Sequence, residues 1–219
     1  MTTRVYFVRH GATLLSNEDR FAGETDVGLS EMGREQARAL GRRLAAEGID
    51  AFYASPLSRA LETARLVAAP HGSGVVTLPE LREMSHGRWE QKSRAEVESL
   101  YPEEYRRWES DPFSFAPEGG ESGLAVTARA LPALLEIVGL HPGERVLVVS
   151  HKATIRLLIA VLLGLDARRY RDRLDSSPAG LTSLEFRGPA GARLTLFNDT
   201  SHCPALLSAS TPETRPGRE

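Results

Sequence analysis

Val146-Leu147-Val148-Val149-Ser150-His151-Lys152, running into a helical pattern over residues 153–163, decides the fold class. Four apolar residues in a row, without alternation, mark a strand buried on both faces. The apolar spacing that follows has the period of a helix, so a strand passes directly into a covering helix. The same step recurs toward the N-terminus. Val5-Tyr6-Phe7-Val8 reads as a strand ending in Arg9-His10-Gly11. After a loop, Ser30 caps a helix whose apolar residues Ala37, Leu40, Leu44 and Ala45 recur at steps of three and four, and Gly48 ends it. Ala51-Phe52-Tyr53-Ala54 is a second strand with a helix over 57–69, and 75–78 is a third strand. A further helix is expected over 121–139, and two more strands over 181–186 and 194–197. This alternation predicts an α/β three-layer sandwich, with a largely parallel central sheet flanked by helices.

Residues 85–120 are more charged and aromatic, with Trp89, Tyr101, Tyr105 and Trp108, and are expected as a small helical insertion over one end of the sheet. Residues 1–207 are expected as a single domain, and the Ser/Thr/Pro/Arg-rich stretch 208–219 as a disordered tail. The 219 residues carry 27 Lys/Arg against 29 Asp/Glu, a net charge of −2, so no basic field suggests nucleic acid. The longest uninterrupted apolar run, 157–163, falls short of a membrane span. No signal-peptide pattern follows Met1, and a cytoplasmic location is expected. The single cysteine, Cys203, excludes an intrachain disulfide and a multi-cysteine metal site.

In open α/β sheets, ligands bind beyond the carboxyl ends of the strands. Those ends carry Arg9-His10-Gly11, Ser55-Pro56-Leu57-Ser58-Arg59, Arg82-Glu83-Met84-Ser85-His86 and Ser150-His151-Lys152. Histidines, guanidinium groups and one carboxylate thus converge on one edge. Phosphoryl transfer fits that set, because it needs cations on the phosphoryl oxygens, an in-line nucleophile and a proton donor for the leaving oxygen. Neutral imidazole is a competent nucleophile, and no carboxylate cluster suggests a metal. Taken singly, each residue has an ordinary structural reading. Glu83 could pair with Arg82 or Arg88 at the surface, and His71 and His141 follow no strand.

The segment Arg9-His10-Gly11-Ala12-Thr13 resembles the defining motif of the histidine phosphatase superfamily, the phosphoglycerate-mutase-like fold. The similarity continues through Arg20-Phe21-Ala22-Gly23, Ser55-Pro56-Leu57-Ser58-Arg59-Ala60 with Thr63-Ala64, Leu81-Arg82-Glu83 with His86-Gly87-Arg88-Trp89-Glu90, Gly119-Gly120-Glu121-Ser122 and Val148-Val149-Ser150-His151. The resemblance implies His10 as a nucleophile forming a phosphohistidine, Arg9, Arg59 and His151 as holders of the phosphoryl oxygens, and Glu83 as proton donor. It also implies Ser16 and Gly23 as substrate-binding positions, although the family usually carries Asn where Ser16 stands. Lys152 replaces a usual glycine; it either adds charge near the site or is merely exposed.

Glu83-Met84-Ser85-His86-Gly87-Arg88-Trp89 and Asn198-Asp199-Thr200-Ser201-His202 are similar to the metal-independent phosphoserine phosphatases. In that group, histidines at the positions of His86 and His202 help grip the substrate carboxylate; otherwise His202 is an exposed tail residue. The resemblance therefore implies a cofactor-free phosphomonoesterase acting on a small phosphomonoester, with phosphoserine as the named candidate and a homodimer as a common assembly. A mutase needing a bisphosphorylated primer and a non-catalytic phosphate-binding protein stay open as alternatives.

Overall fold

A computed structural model of the chain describes residues 1–15, 20–188 and 191–203. Ser16 and the 208–219 tail therefore lie outside the described residues. In chain order the elements are β1 (Thr3–Arg9), α1 (Glu31–Leu44), β2 (Ala51–Ala54), α2 (Ser58–Ala68) and β3 (Val76–Thr77). Then come α3 (Arg94–Leu100), α4 (Pro102–Ser110), α5 (Gly123–Leu140), β4 (Arg145–Ser150) and α6 (Lys152–Leu162). The last are α7 (Tyr170–Arg173), β5 (Leu181–Phe186) and β6 (Ala192–Asp199).

Among the described residues, six strands form one sheet in the order β3-β2-β4-β1-β5-β6. The first four strands are parallel, while β5 runs antiparallel to β1 and β6 antiparallel to β5. The side-chain period of two sends alternate residues of each strand into opposite layers. Val5, Phe7, Val146 and Val148 pack under α5 and α6. Tyr6, Val8, Leu147 and Val149 pack under α1 and α2. The expected three-layer sandwich is thus present, with a core on each face of the sheet.

Local rules place most element ends. Ser30 accepts a hydrogen bond from the Gly33 amide at the start of α1, a cap worth about 1 kcal/mol. Ser122 does the same for α5 through the Ala125 amide, two residues beyond the expected start. The third strand is shorter than expected because only Val76 and Thr77 reach β2, and this edge strand is exposed. The short helix α7 carries too few residues for a periodic signal and was not expected.

The insertion holds α3 and α4 and has its own small core of Phe21, Trp89, Val97, Trp108 and Phe115. Trp108 meets Trp89 and Phe21 edge to face, with ring centroids 5.8 and 5.3 Å apart. By length and composition α5 could cross a membrane. Here its residues Val126, Ala130, Leu134 and Ile137 are buried in the core beneath the sheet.

The topology creates a crevice. The chain leaves β1 toward the α1 layer and leaves the neighbouring β4 into α6 in the opposite layer. At such a switch point the carboxyl ends of two paired strands part and leave room for a ligand.

Candidate active site

Arg9 pairs with Ser150 across β1 and β4, so His10 and His151 are the next residue on each strand. Their rings lie 5.1 Å apart, and both are buried, at 7% and 0% exposure. His10 Nδ1 lies 2.8 Å from the Gly11 carbonyl oxygen, which can only accept. Nδ1 must then carry the proton, leaving the Nε2 lone pair free. Burial, and then the charges of Arg9 and Arg59, push the His10 pKa well below its ordinary value. A neutral imidazole beside two guanidinium groups is the result.

Gly11 is required sterically. A Cβ there would fall 2.4 Å from the Gly33 carbonyl oxygen, and the Gly11 amide instead donates to Thr63 Oγ1 at 3.1 Å. Arg59, in the first turn of α2 and 2% exposed, donates to the carbonyls of Gly23 (2.7 Å) and Thr25 (2.8 Å). Arg9 donates to the Ser176 carbonyl at 2.6 Å. His151 Nε2 lies 2.8 Å from Ser55 Oγ, while its Nδ1 is buried without a hydrogen-bond partner among the described residues. Burial lowers the His151 pKa, helped by the nearby His10, Arg59 and Arg9.

Glu83 follows a 3₁₀ turn, and its carboxylate sits at the N-terminus of α6. It accepts from the amides of Met84 (3.0 Å), Ala153 (3.2 Å) and Thr154 (3.2 Å), and from Thr154 Oγ1 (3.2 Å). The surface pairing considered for it does not occur: Arg82 binds Glu24, and Arg88 binds Glu104 and Glu118. Its backbone is clamped by Arg129, whose guanidinium donates to the carbonyls of Glu80, Arg82 and Glu83 and forks onto both oxygens of Glu121. All five N–H groups are used, so this segment is held rigidly.

The outer residues divide. Gly23 takes a positive φ of 53° and gives its carbonyl to Arg59. His86 stacks against Phe21 at 4.8 Å, and its buried Nδ1 has no hydrogen-bond partner among the described residues. His202 lies against Arg43 of α1, with Nδ1 3.3 Å from the guanidinium, and against the backbone of Ala179, whose amide reaches the Arg9 and His10 carbonyls. Lys152 is partly buried at the first position of α6. His141 bonds Tyr53 and Glu144, and His71 stacks on Phe52, both outside the cluster. Ser55, Thr63, Thr154, Arg129 and Glu90 join the site although the motif reading gave them no role. Ser55, Thr63 and Glu90 lie inside the motif stretches, whereas Thr154 and Arg129 carried no signal.

Burial pushes the His86 pKa down to about 4, against the pull of Glu83 and Glu90. Between that value and the ordinary 6.5, the unfolded chain binds a proton that the folded chain does not. Stability present above pH 6.5 is therefore lost as pH falls toward 4, at about 1.4 kcal/mol per pH unit. His86→Gln should reduce the stability lost between pH 7 and 5 by roughly 2 kcal/mol in urea titrations. Equal losses in both proteins would count against a buried neutral His86.

These groups set two guanidinium groups, two imidazoles with lowered pKa values and one carboxylate at the carboxyl-end side of the parallel strands. Among the described residues no group of three or more His, Cys, Asp or Glu could hold a metal ion. The arrangement can bind a phosphoryl group, attack it in line and exchange a proton with the leaving oxygen.

The chain is 34% identical over 167 residues to phosphoserine phosphatase 1 of Hydrogenobacter thermophilus, covering 76% of this chain and 79% of the relative. It is 32% identical over 213 residues to a probable phosphoglycerate mutase of an Enterobacter species, covering 93% and 97%. A solved mycobacterial glucosyl-3-phosphoglycerate phosphatase superposes with a TM-score of 0.82 at 29% identity, over 90% of this chain and 99% of the other. The family model of the histidine phosphatase superfamily (branch 1) matches residues 5–200, and the chain belongs to that superfamily.

Proposed function

We propose that the chain is a metal-independent phosphomonoesterase working through a phosphohistidine on His10. The observation that carries this reading is a buried His10 with Nδ1 bonded to Gly11 and Nε2 free, beside Arg9 and Arg59. His10 Nε2 attacks phosphorus, the ester oxygen departs, and Glu83 gives that oxygen its proton. Glu83 then takes a proton from water as the water oxygen attacks the phosphohistidine, releasing phosphate and restoring His10. Arg9, Arg59 and the His151 Nδ1 edge hold the phosphoryl oxygens throughout.

The substrate we propose is a small phosphomonoester whose alcohol carries a carboxylate, with phosphoserine as the first candidate. The relative named a phosphoserine phosphatase supports this, as does the neighbour named for glucosyl-3-phosphoglycerate. His86, close to Glu83 on the leaving-group side, is the residue we assign to that carboxylate.

A phosphomonoester panel run with and without EDTA tests the proposal. Activity on p-nitrophenyl phosphate and phosphoserine is expected to survive exhaustive chelation, because the two guanidinium groups supply the positive charge. Loss in EDTA with recovery in Mg²⁺ would overturn the mechanism. Turnover that depends on 2,3-bisphosphoglycerate would establish a mutase instead, and no turnover at all a phosphate-binding protein.

A further inference from the structure

One carboxylate without a part in the proposed chemistry, Glu90, reaches both the 24–25 loop and the segment after Glu83. Glu90 follows the 3₁₀ turn Gly87–Trp89, whose buried Trp89 anchors it in the insertion. Its Oε1 accepts from the amides of Glu24 (3.1 Å) and His86 (3.1 Å) and from Ser85 Oγ (3.4 Å). Its Oε2 accepts from the Thr25 amide (3.1 Å) and Thr25 Oγ1 (2.8 Å). Among the described residues every hydrogen-bond partner is a neutral N–H or O–H group, so a cage of oriented dipoles surrounds the charge.

Glu90 and Arg59 hold the same short loop and share Thr25 as a partner. Glu90 takes the N–H groups of Glu24 and Thr25, while Arg59 donates to the carbonyls of Gly23 and Thr25. The Gly23–Glu24 peptide plane is thus pinned from both edges, and Thr25 is held at its amide and at its carbonyl. Gly23 fits the same device: a Cβ there would lie 2.2 Å from Glu90 Oε1, on a backbone whose φ of +53° already disfavours a side chain. The remaining donors come from Ser85 and His86, just after Glu83. One carboxylate therefore ties the loop that aims Arg59 to the segment beside the leaving group.

We propose that Glu90 is a positioning residue that sets the Arg59 guanidinium for the phosphoryl oxygens, through the 23–25 loop. This rests on the reading that Arg59 binds those oxygens. Glu90→Gln keeps the size but turns an NH₂ group toward N–H donors, which should loosen the loop and misplace the guanidinium.

A double-mutant cycle on vanadate affinity tests it, with wild type, Glu90→Gln, Arg59→Ala and the double variant. Glu90→Gln alone is expected to weaken vanadate binding about tenfold or more, with a matching drop in kcat/KM on p-nitrophenyl phosphate. In the Arg59→Ala background the same change should weaken binding by less than about twofold, because its route of action is gone. Equal losses in both backgrounds, or no loss in either, would overturn the inference. A strap serving only stability would lower Tm and leave vanadate affinity unchanged, which also overturns it. If Glu90→Gln fails to fold, Thr25→Val removes a single donor and is read in the same cycle, with a smaller loss that again vanishes beside Arg59→Ala. Wild-type protein that neither binds vanadate nor hydrolyses any phosphomonoester would instead remove the functional reading itself.

Discussion

His10→Ala is expected to lower turnover by at least about 10⁴-fold on every phosphomonoester the protein accepts. The proposed route passes through a covalent bond to His10 Nε2, whereas His151 Nδ1 must carry the proton to hold a phosphoryl oxygen, with Nε2 facing Ser55, and so has no lone pair to attack with. The loss should be chemical, not structural, because the hydrogen bond joining residue 10 to β4 runs from its backbone amide to the Ser150 carbonyl and survives the change. Vanadate affinity should fall much less than kcat, since Arg9, Arg59 and His151 remain. Rapid denaturation of the wild type during turnover should trap an acid-labile phosphohistidine that the variant cannot form. The acid limb of kcat/KM set by His10 should lie below its ordinary value near 6.5, because burial and the two guanidinium charges resist its protonation. Near-normal turnover by His10→Ala would end the assignment.

Glu83→Gln is expected to separate substrates by their leaving groups. An alkoxide departs poorly without a proton, so losing the acid should reduce turnover of phosphoserine by about 10²–10⁴-fold. The p-nitrophenolate ion leaves with little help, and that substrate should lose far less. Glutamine can still accept from the amides of Met84 and Thr154 through its carbonyl, so the first turn of α6 stays capped. Equal losses on the two substrates would leave Glu83 as a positioning group and move the proton donation elsewhere.

The strands that carry the site were legible because each is a compact apolar run ending in polar residues. Arg9-His10 and Ser150-His151 could therefore be placed at strand ends on one edge of the sheet, whereas the pairing of β1 with β4 left no sign in the sequence. The insertion was legible as a composition shift, and Trp89 and Trp108 do form its core. What stayed hidden are side chains that act through distant backbone. Glu90 reaches amides 65 and 66 residues away, and Arg129 reaches carbonyls 46 to 49 residues away. A bond from a side chain to a peptide group leaves no periodicity and no complementary residue to find. The position of His202 was hidden for a related reason. Only the path of the chain after β6 sets it against Arg43.

The small aromatic core of the insertion shares no residue with the two cores of the sheet. Two parts of one chain are thus stabilised separately, and they are exposed to selection separately. Substitutions around Phe21, Trp108 and Phe115 can reshape the insertion while His10 and His151 stay fixed to paired strands. On the proposed function, descendants of such a chain would diverge toward new alcohols by drift in one small cluster, with the phosphorus chemistry inherited intact.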